Sequence, residues 1–529
     1  MTQAIASDPN SLVEYGFRRA IITITVVICS LLEIIDTTIV NVATNTLMGN
    51  LGATLGEISW VIAAYAIANV IVVPMSGWLS AQFGRKNYFA VSIVIFTFSS
   101  FMCGNSTSIW ELVFWRFIQG IGGGALIATS QSILVEIYPP EKMGMASAMF
   151  GMGVILGPTI GPVLGGYLID HYEWPAIFYV NVPIGITATI LTIKFIRNNP
   201  HQQKQKGKMD FAGILLLIIG IGSLQLTLEQ GEREDWFEST FIICSLITAV
   251  LGIGLFIWRE LSTEKPIVDL RVLFRGNVGI GVCMSFILGF ALFGTVFVYP
   301  VFVQRFLGFT ATQSGGMFVP GALLTGFCMP FVGRMLQKGA PPKILIALGF
   351  SITAFFVFWS SQIFSPVTDV TDFFWPLLLR GIGMGLLFVP LTNLTLGGLA
   401  GKDIAQAAGL SSMIRQIGGS ISVAIIGVFT ERVSAQHHAD LAANVTSYNT
   451  NSLDRMSAYT ANFSRFGTDV GKATTQAYFS IENAVTKQAL ILTYMDIFIY
   501  MGIFVLICIP LILFARTLKH KKVDMKGVH

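Results

Sequence analysis

The sequence predicts an all-α polytopic membrane protein with fourteen spans, and three observations support this fold class. Of the 529 residues, 53% are hydrophobic and 12% are charged, whereas a typical soluble domain has about 25% charged residues. Apolar runs of about 20 residues recur from end to end, and a run of that length crosses about 30 Å of hydrocarbon. The positive charges alternate between successive loops, as expected when the loops alternate between the two sides of a membrane.

The apolar runs define the predicted spans one by one. They cover residues 20–42, 58–80, 88–105, 110–137, 145–169, 176–196, 211–228, 240–258, 279–303, 315–335, 344–363, 373–396, 407–430 and 490–515.

The distribution of Lys and Arg predicts the orientation of these spans. If the N-terminus and every second loop are cytoplasmic, those segments contain most of the 33 basic residues, and the short outer loops contain only Arg233 and Arg305. Omitting one helix would destroy this alternation, so both termini are predicted to be cytoplasmic. The formal charge of +4 reflects this topology, because the basic residues lie at helix ends rather than in one patch. No nucleic-acid partner is therefore expected.

A polar stretch from Asn198 to Met209 divides the chain. We expect a six-helix bundle in residues 1–198, a linker with two inserted helices in 199–275, and a second six-helix bundle in 276–529. The last region includes a polar outer loop, 431–489, which is far longer than ordinary loops. Such loops are usually functional or disordered. Its final part, 473–490 (ATTQAYFSIENAVTKQAL), is suited to extending the last helix beyond the membrane.

The sequence lacks the signatures of metal sites, nucleotide sites and enzymes. All six cysteines lie in apolar spans and are interpreted as packing residues, and His437-His438 is interpreted as a solvated pair. Gly471-Lys472 is followed by Ala473, where a phosphate-binding loop requires Ser or Thr. No metal, no organic cofactor and no enzymatic activity are therefore expected, and any pumping must draw on an ion gradient.

One face of the first span is polar. It carries Glu33, Asp36, Thr37 and Asn41, whose spacing of i, i+3, i+4 and i+8 places them on one side of a helix. A charge at the bilayer centre costs roughly 2.5–3.5 kcal/mol on insertion scales, so such residues usually face a polar interior. This face is the candidate path for protons or substrate.

Depth predicts a partner for one of these acids. Asp36 and Arg116 each lie six residues from the outer end of their predicted spans, or roughly 9 Å below the outer surface. We expect Arg116 to hold Asp36 ionised until a proton arrives from outside, and Glu33 to be a second proton carrier or a contact for a cationic substrate. The alternative is a static pair that only orients helices.

The fifth span contains a regular strip of small residues with two prolines. Small residues at every fourth position let membrane helices approach closely, and prolines bend or stiffen a helix. A specialised contact that changes shape is favoured over generic packing. The residues are Gly153, Gly157, Pro158, Gly161, Pro162, Gly165 and Gly166.

Several of these segments resemble one transporter family. GPTIGPVLGG, at 157–166, resembles the antiporter motif of the major facilitator superfamily. GWLSAQFGRK (77–86) and RFIQGIGGGA (116–125) resemble its loop signature and its fourth-helix motif. DTTIVNVA (36–43) and FYVNVPIG (178–185) are similar to the fourteen-helix drug:proton antiporters of the EmrB/QacA type. RGIGMGLLFVPLTNLTLGG and AAGLSSMIRQIGGSI match the same style in the second half.

The resemblance implies two six-helix bundles around a central cavity, with two inserted helices. It implies proton-coupled export of hydrophobic or amphipathic compounds across the cytoplasmic (inner) membrane by alternating access. Where an outer membrane exists, it also implies a periplasmic adaptor and an outer-membrane channel, with the long outer loop as the contact. The alternative is a dedicated exporter of one metabolite, such as a siderophore or a fatty acid.

The functional residues expected on this basis fall into three groups besides the glycine strip. Asp36, Glu33 and Arg116 are assigned to proton coupling, Thr37, Asn41, Gln119, Arg380 and Arg415 to the substrate cavity, and Gly77, Gly84, Arg85 and Lys86 to the loop signature.

The chain departs from the family pattern at two places. Ala81-Gln82 stand where the loop signature often has Asp-Arg, so a carboxylate latch there is lost or rebuilt. Thr44-Asn45 stand where the first-helix motif usually continues with Leu-Pro, which leaves the outer end of the first helix undefined.

Overall fold

The computed structural model describes residues 12–139, 142–198, 210–365, 368–399, 402–465 and 469–515. Within these ranges the secondary structure is helical and contains no strand. Fourteen helical segments are long and apolar enough to cross a membrane. The predicted all-α class and the predicted number of spans are therefore confirmed. Most of the predicted linker, residues 199–209, lies outside the described residues.

The helices follow the chain in three groups. The N-terminal half comprises α1 (Gly16–Leu51), α2 (Leu55–Phe83), α3 (Arg85–Gly104), α4 (Ile109–Ile137), α5 (Met143–His171), α6 (Ala176–Tyr179) and α7 (Asn181–Phe195). The inserted hairpin comprises α8 (Phe211–Gln230) and α9 (Thr240–Ser262). The C-terminal half comprises α10 (Val278–Leu307), α11 (Ala311–Gly316), α12 (Val319–Gln337), α13 (Pro342–Ile363), α14 (Val370–Leu396), α15 (Lys402–Ala442), α16 (Thr450–Arg465) and α17 (Val470–Cys508).

The two halves repeat one packing pattern. In the N-terminal half, α1 packs against α5 and α2 against α4. In the C-terminal half, α10 packs against α15 and α12 against α14. Such internal repeats are characteristic of secondary transporters, whose substrate sites lie between the repeats near the middle of the membrane.

The halves contact each other on the predicted cytoplasmic side. There α2 packs against α15, and α5 packs against α12. A β-carbon added to Gly77 would lie 3.1 Å from the backbone nitrogen of Gln406, and one added to Gly144 would lie 2.8 Å from the carbonyl oxygen of Gly333. Backbones therefore touch across this interface, and it leaves no room for a passage at either point.

The inserted hairpin lies at the periphery. Its helices cross where a β-carbon on Gly220 would lie 2.7 Å from the backbone nitrogen of Ile253. α8 also packs against α2. One face of α9 is buried at Ile242 and Phe256, whereas Val250 and Leu251 are exposed. Because an apolar face exposed in a membrane protein contacts lipid, the hairpin flanks the bundle rather than lining its centre.

The long outer segment is more ordered than its length predicts. Within the described residues, α15 continues to Ala442, α16 follows, and α17 begins at Val470, so the last helix is extended as the sequence indicated. His437 and His438 are not simply solvated. The Nε2 atom of His437 lies 2.8 Å from Oδ2 of Asp496, and that of His438 lies 2.7 Å from Oε1 of Glu482. These pairs join α15 to α17: Glu482 lies outside the predicted last span, and Asp496 lies near its outer end.

The cysteines and the outer end of the first helix differ from what the sequence predicted. Cys29 and Cys103 are buried as predicted, but Cys244 and Cys283 are exposed on the outside of the bundle and do not pack in its core. The first helix runs past the predicted span to Leu51 and ends at Gly52, whose φ of 61° suits glycine. With Asn45 at the position of the proline, the helix continues for about two more turns.

Candidate functional site

The buried carboxylate of Asp36 is surrounded by hydrogen-bond donors from two other helices. Its Oδ2 accepts a hydrogen bond from Nη1 of Arg116 at 2.6 Å. Its Oδ1 accepts from Nε2 of Gln119 at 2.9 Å and from Nδ2 of Asn181 at 2.8 Å. Asp36 and Arg116 are 0% and 1% exposed. The structure therefore contains the predicted pair, and its carboxylate is fully satisfied, as a buried charge requires.

A second layer fixes the donors in place. Nη1 of Arg116 also donates to Oε1 of Gln119 at 2.8 Å, and its guanidinium lies 4.2 Å from the ring centroid of Tyr65. Ser100 Oγ accepts from both Gln119 and Asn181, at 3.1 and 3.0 Å. Five helices thus contribute to one polar cluster. Protonation or deprotonation of Asp36 changes the hydrogen bonding throughout this cluster.

Glycines of α4 allow this cluster to form. A β-carbon on Gly120 would lie 2.5 Å from the carbonyl oxygen of Tyr65, and one on Gly124 would lie 2.6 Å from that of Asn69. On another face, a β-carbon on Gly122 would lie 2.6 Å from the backbone nitrogen of Phe96. The glycine run after Arg116 therefore brings α2 and α3 against α4, which places Tyr65 over the guanidinium.

Glu33 lies outside the Asp36 cluster and has a different environment. It is buried, and its Oε1 accepts a hydrogen bond from Nδ2 of Asn69 at 2.8 Å. Its Oε2 is buried without a hydrogen-bond partner among the described residues. Thr37, one turn along the same face, donates its hydroxyl to the backbone oxygen of Glu33. Asn41, one turn further on, is exposed.

Two arginines of the C-terminal half, Arg380 and Arg415, are buried, and neither bonds to a carboxylate among the described residues. Nε of Arg380 donates to Oγ1 of Thr295 at 3.2 Å, and Nη2 of Arg415 donates to Oγ of Ser412 at 3.1 Å. Their guanidinium groups lie 5.3 Å from the ring centroids of Phe318 and Phe388, respectively. Neither arginine takes part in a salt bridge within the described ranges.

The sequence is similar to those of known transporters over nearly its whole length. The family model described as "Major Facilitator Superfamily" matches residues 26–423. The chain is 36% identical over 503 residues to "Multidrug export protein EmrB" of Escherichia coli (strain K12), covering 95% of this chain and 96% of that protein. The chain belongs to the major facilitator superfamily.

Two further likenesses bear on the chain. It is 33% identical over 506 residues to "Fatty acid resistance protein FarB" of Neisseria gonorrhoeae, covering 96% of this chain and 97% of that protein. The crystal structure of the human organic anion transporter MFSD10 (TETRAN) matches with a TM-score of 0.57 at 13% identity, covering 92% of this chain and 99% of that one. The latter likeness shows the fold alone. The superfamily comprises transporters rather than enzymes.

The loop signature of the superfamily has a carboxylate partner that sequence reasoning missed. Gly84 has a φ of +84°, a conformation that favours glycine, and it turns the chain so that α3 begins at Arg85. The Arg85 guanidinium forms a salt bridge with Glu136 at the end of α4. The backbone N–H of Lys86 donates to Oδ1 of Asn198 at 3.0 Å. A carboxylate from a different helix thus lies beside a loop signature that has Ala81-Gln82 in place of Asp-Arg.

The glycine strip of the antiporter motif contacts both halves. A β-carbon on Gly165 would lie 2.8 Å from Cγ1 of Ile39, and Gly157 and Gly161 are similarly close to side chains of α1. On the other face of α5, a β-carbon on Gly315 of α11 would lie 3.2 Å from Cβ of Pro162. The strip of α5 therefore contacts both the helix that carries Asp36 and a helix of the opposite half.

The structure divides the predicted substrate-cavity residues. Gln119 lies in the Asp36 cluster, Arg380 and Arg415 lie in the other half, and Asn41 is exposed. Sequence reasoning missed Ser100, Tyr65, Asn69 and Asn181 as members of the site. Asn181 stands within the FYVNVPIG segment, which offered a signal, whereas nothing distinguishes Ser100 from other serines in apolar spans.

Proposed function

We propose that this chain is a multi-pass inner-membrane transporter that exports hydrophobic and amphipathic compounds in exchange for protons. The multidrug export protein of Escherichia coli, similar over nearly the full length of both chains, supports the substrate class. The Asp36 cluster carries the proposal for coupling, because a buried carboxylate with a bonded arginine is a natural proton site in a membrane.

In the coupling step, a proton and Arg116 compete for the Asp36 carboxylate. A proton entering from the outer side binds Asp36, so Arg116 loses its ionic partner. The amides of Gln119 and Asn181 then face a neutral acid, and their hydrogen bonds weaken. The α1–α4 contact changes, and α5, packed on α1, passes the change to the C-terminal half. One proton crossing 100 mV provides about 2.3 kcal/mol, so no nucleotide is needed.

Dye transport in proteoliposomes under an imposed pH gradient tests this function. Wild type is expected to transport, and Asp36→Asn is expected to bind dye but to lose gradient-driven transport. Asp170→Asn, a charge-matched change at an exposed acid of α5, is the control and should transport normally. Normal coupled transport by Asp36→Asn would overturn the assignment and direct attention to Glu33.

A dedicated exporter of fatty acids is the second candidate, favoured by the similarity to the Neisseria gonorrhoeae protein. Arg380 and Arg415 provide two buried cations without a bonded carboxylate, which suit an anionic head group. Long-chain fatty acid and cationic dye, tested in the same proteoliposomes, separate the candidates. Transport of fatty acid alone, with no dye tried being transported, would favour the narrow function.

We also propose that the helices beyond the membrane contact a periplasmic adaptor, which would pass substrate to an outer-membrane channel. Tyr448 and Phe479 are 95% and 67% exposed, and exposed aromatic side chains are typical of binding surfaces. The double variant Tyr448→Ser/Phe479→Ser should keep transport in proteoliposomes and lose drug resistance in cells. Full resistance in cells would contradict this contact.

A further inference from the structure

A chain of hydrogen bonds connects Glu33 to the opposite half of the protein. Nδ2 of Asn69 donates to Oε1 of Glu33 at 2.8 Å, and Oδ1 of the same Asn69 accepts from Nε2 of Gln416 at 2.8 Å. Glu33 and Asn69 belong to α1 and α2, whereas Gln416 belongs to α15 in the C-terminal half. The chain therefore spans the interface that must separate if the halves are to open.

Glu33 determines the orientation of the Asn69 amide group. An ionised carboxylate only accepts hydrogen bonds, so it holds the NH₂ group of Asn69 toward Glu33 and turns the oxygen toward Gln416. Asn69 is 2% exposed, so water offers little competition for either bond. The strength with which Asn69 is held toward Gln416 thus depends on the charge of Glu33.

The same interface closes the predicted cytoplasmic side. Toward that side, a β-carbon on Gly409 of α15 would lie 2.9 Å from the carbonyl oxygen of Val73 in α2, and Gly77 meets Gln406. Because these contacts and the Asn69–Gln416 bond join the same two helices, separating the cytoplasmic ends of α2 and α15 strains the bond.

Titratable groups of three helices face Glu33. Asp36 lies on its own helix, Tyr65 on α2, and Arg415, next to Gln416, on α15. Oε2 of Glu33 and the Tyr65 hydroxyl are both buried, and Asn69 bonds only to Oε1. A proton can therefore add to Oε2 without displacing the donor Asn69.

We propose that Asn69 and Gln416 form an interlock that holds the halves together on the cytoplasmic side while Glu33 is ionised and releases them when it is protonated. The proton adds to a carboxylate oxygen, no other covalent bond changes, and the charge-assisted bond from Asn69 becomes a weaker neutral one. Asn69 and Gln416 are positioning residues. The interlock rests on the proposed proton coupling and adds Glu33 as the group that the C-terminal half senses.

The opening of the cytoplasmic side is measurable between two spin labels. Lys142 and Lys338 are exposed at the cytoplasmic ends of α5 and α12, whose backbones meet at Gly144 and Gly333. Both are changed to cysteine and spin-labelled, in a background in which Cys244, Cys283, Cys328 and Cys508 are replaced by alanine. Pulsed electron resonance distances are recorded from acidic to alkaline pH in Glu33→Gln, Gln416→Leu and the double variant.

The interlock predicts non-additive effects. At alkaline pH each single variant should raise the ratio of open to closed molecules about tenfold, which corresponds to about 1.4 kcal/mol, and the double variant should show the same tenfold. The response of Gln416→Leu to pH should also match that of Glu33→Gln, which a merely structural role would not produce. Gln304→Leu, a matched change within the C-terminal half, should leave the distances as in wild type.

Three results would overturn the interlock: a wild-type distance distribution in Gln416→Leu at every pH, effects that multiply to about a hundredfold in the double variant, or different pH responses of the two single variants. If Gln416→Leu fails to fold, Gln416→Asn keeps the amide but is too short to reach Asn69, and the same predictions apply. Dye transport by wild type is measured separately. Loss of that transport with an intact distance response would remove the proposed function but not the interlock.

Discussion

Two buried arginines occupy corresponding places in the two halves and have opposite environments. Arg116 of α4 is bonded to a carboxylate, an amide and a backbone oxygen, and it lies over an aromatic ring. Arg380 of α14 has a bond to one hydroxyl, from Thr295, and faces the ring of Phe318. Each arginine begins the same short motif, in which several glycines follow within one or two turns of the helix.

The difference indicates a division of labour between the halves. A buried ion is stabilised only when its charge and hydrogen bonds are matched, and the N-terminal half provides such a match for Asp36 and Arg116. The C-terminal half keeps a cation whose partners are mostly neutral, which is costly unless a ligand completes it. We infer that Arg380 is retained for a substrate and Arg116 for coupling, and the following predictions test this contrast.

Arg116→Met should have the largest effect. It leaves Asp36 buried without its counter-charge, and breaking a buried pair in this way costs about 3–5 kcal/mol. We expect coupled transport to fall below a tenth of wild type and the thermal unfolding midpoint in detergent to drop by several degrees. The double variant Arg116→Met/Asp36→Leu should recover stability but not coupling. Equal instability of both variants would show that packing, not charge, dominates the site.

Arg380→Met should have the opposite effect on stability. Replacing a buried ion that lacks a counter-charge with an apolar side chain of similar volume removes the cost of its desolvation, so the change should be neutral or stabilising. The unfolding midpoint should stay or rise, while transport of anionic substrates should fall and that of neutral ones should persist. If Arg380→Met destabilises the protein as much as Arg116→Met, the contrast between the halves is wrong.

Removing one neutral hydrogen-bond partner from each cluster tests the same difference in stability between the two halves. Asn181→Ala deletes one of three donors to an anionic carboxylate, a bond of about 1.5–3 kcal/mol, whereas Thr295→Val deletes the acceptor for Arg380. We expect a clear loss of stability and an altered pH dependence of transport for Asn181→Ala. Thr295→Val should cost less stability than Asn181→Ala, because the bond that it removes is longer, 3.2 Å against 2.8 Å. Comparable losses in both would mean that the two clusters are equally tightly bonded.

The sequence predicted the charged residues of the site but not the neutral polar residues that bond to them. Asp36 and Arg116 were predictable because a charge inside an apolar span requires an explanation, and depth alone paired them. The spans followed from the same logic, and fourteen were found. Ser100 and Asn69 were not predictable, since neutral polar residues are common in spans and only the packing of helices decides which of them meet.

The outer segment shows a different limit. Its length suggested a loop, yet α16 and the extensions of α15 and α17 account for most of it. Hydrophobic periodicity identifies helices that bury a face, and α16 buries none of its described residues. Glu136, the partner of Arg85, was missed for another reason: it lies 51 residues away, and sequence spacing carries no information on contacts between helices.

The periphery should respond least, and Asp210 offers a test with a defined pH dependence. Asp210 caps α8 through Gly213 and bonds to Arg259 at 3.1 Å. Partial burial works to raise its pKa, but these hydrogen bonds outweigh it and hold the pKa below its usual value. A lowered pKa contributes stability above the unfolded-state pKa of about 3.9, and that contribution disappears as the pH falls through the folded-state pKa.

Asp210→Asn keeps the cap and removes the charge, so it should cost about 0.5–1 kcal/mol at neutral pH and nothing in strong acid. Asp210→Ala, which also removes the cap, should remain destabilised by about 1 kcal/mol even in acid, and thermal unfolding across pH measures both. A difference between wild type and Asp210→Asn that persists unchanged into acid would contradict the ionic contribution and leave the cap alone to explain this end of the hairpin.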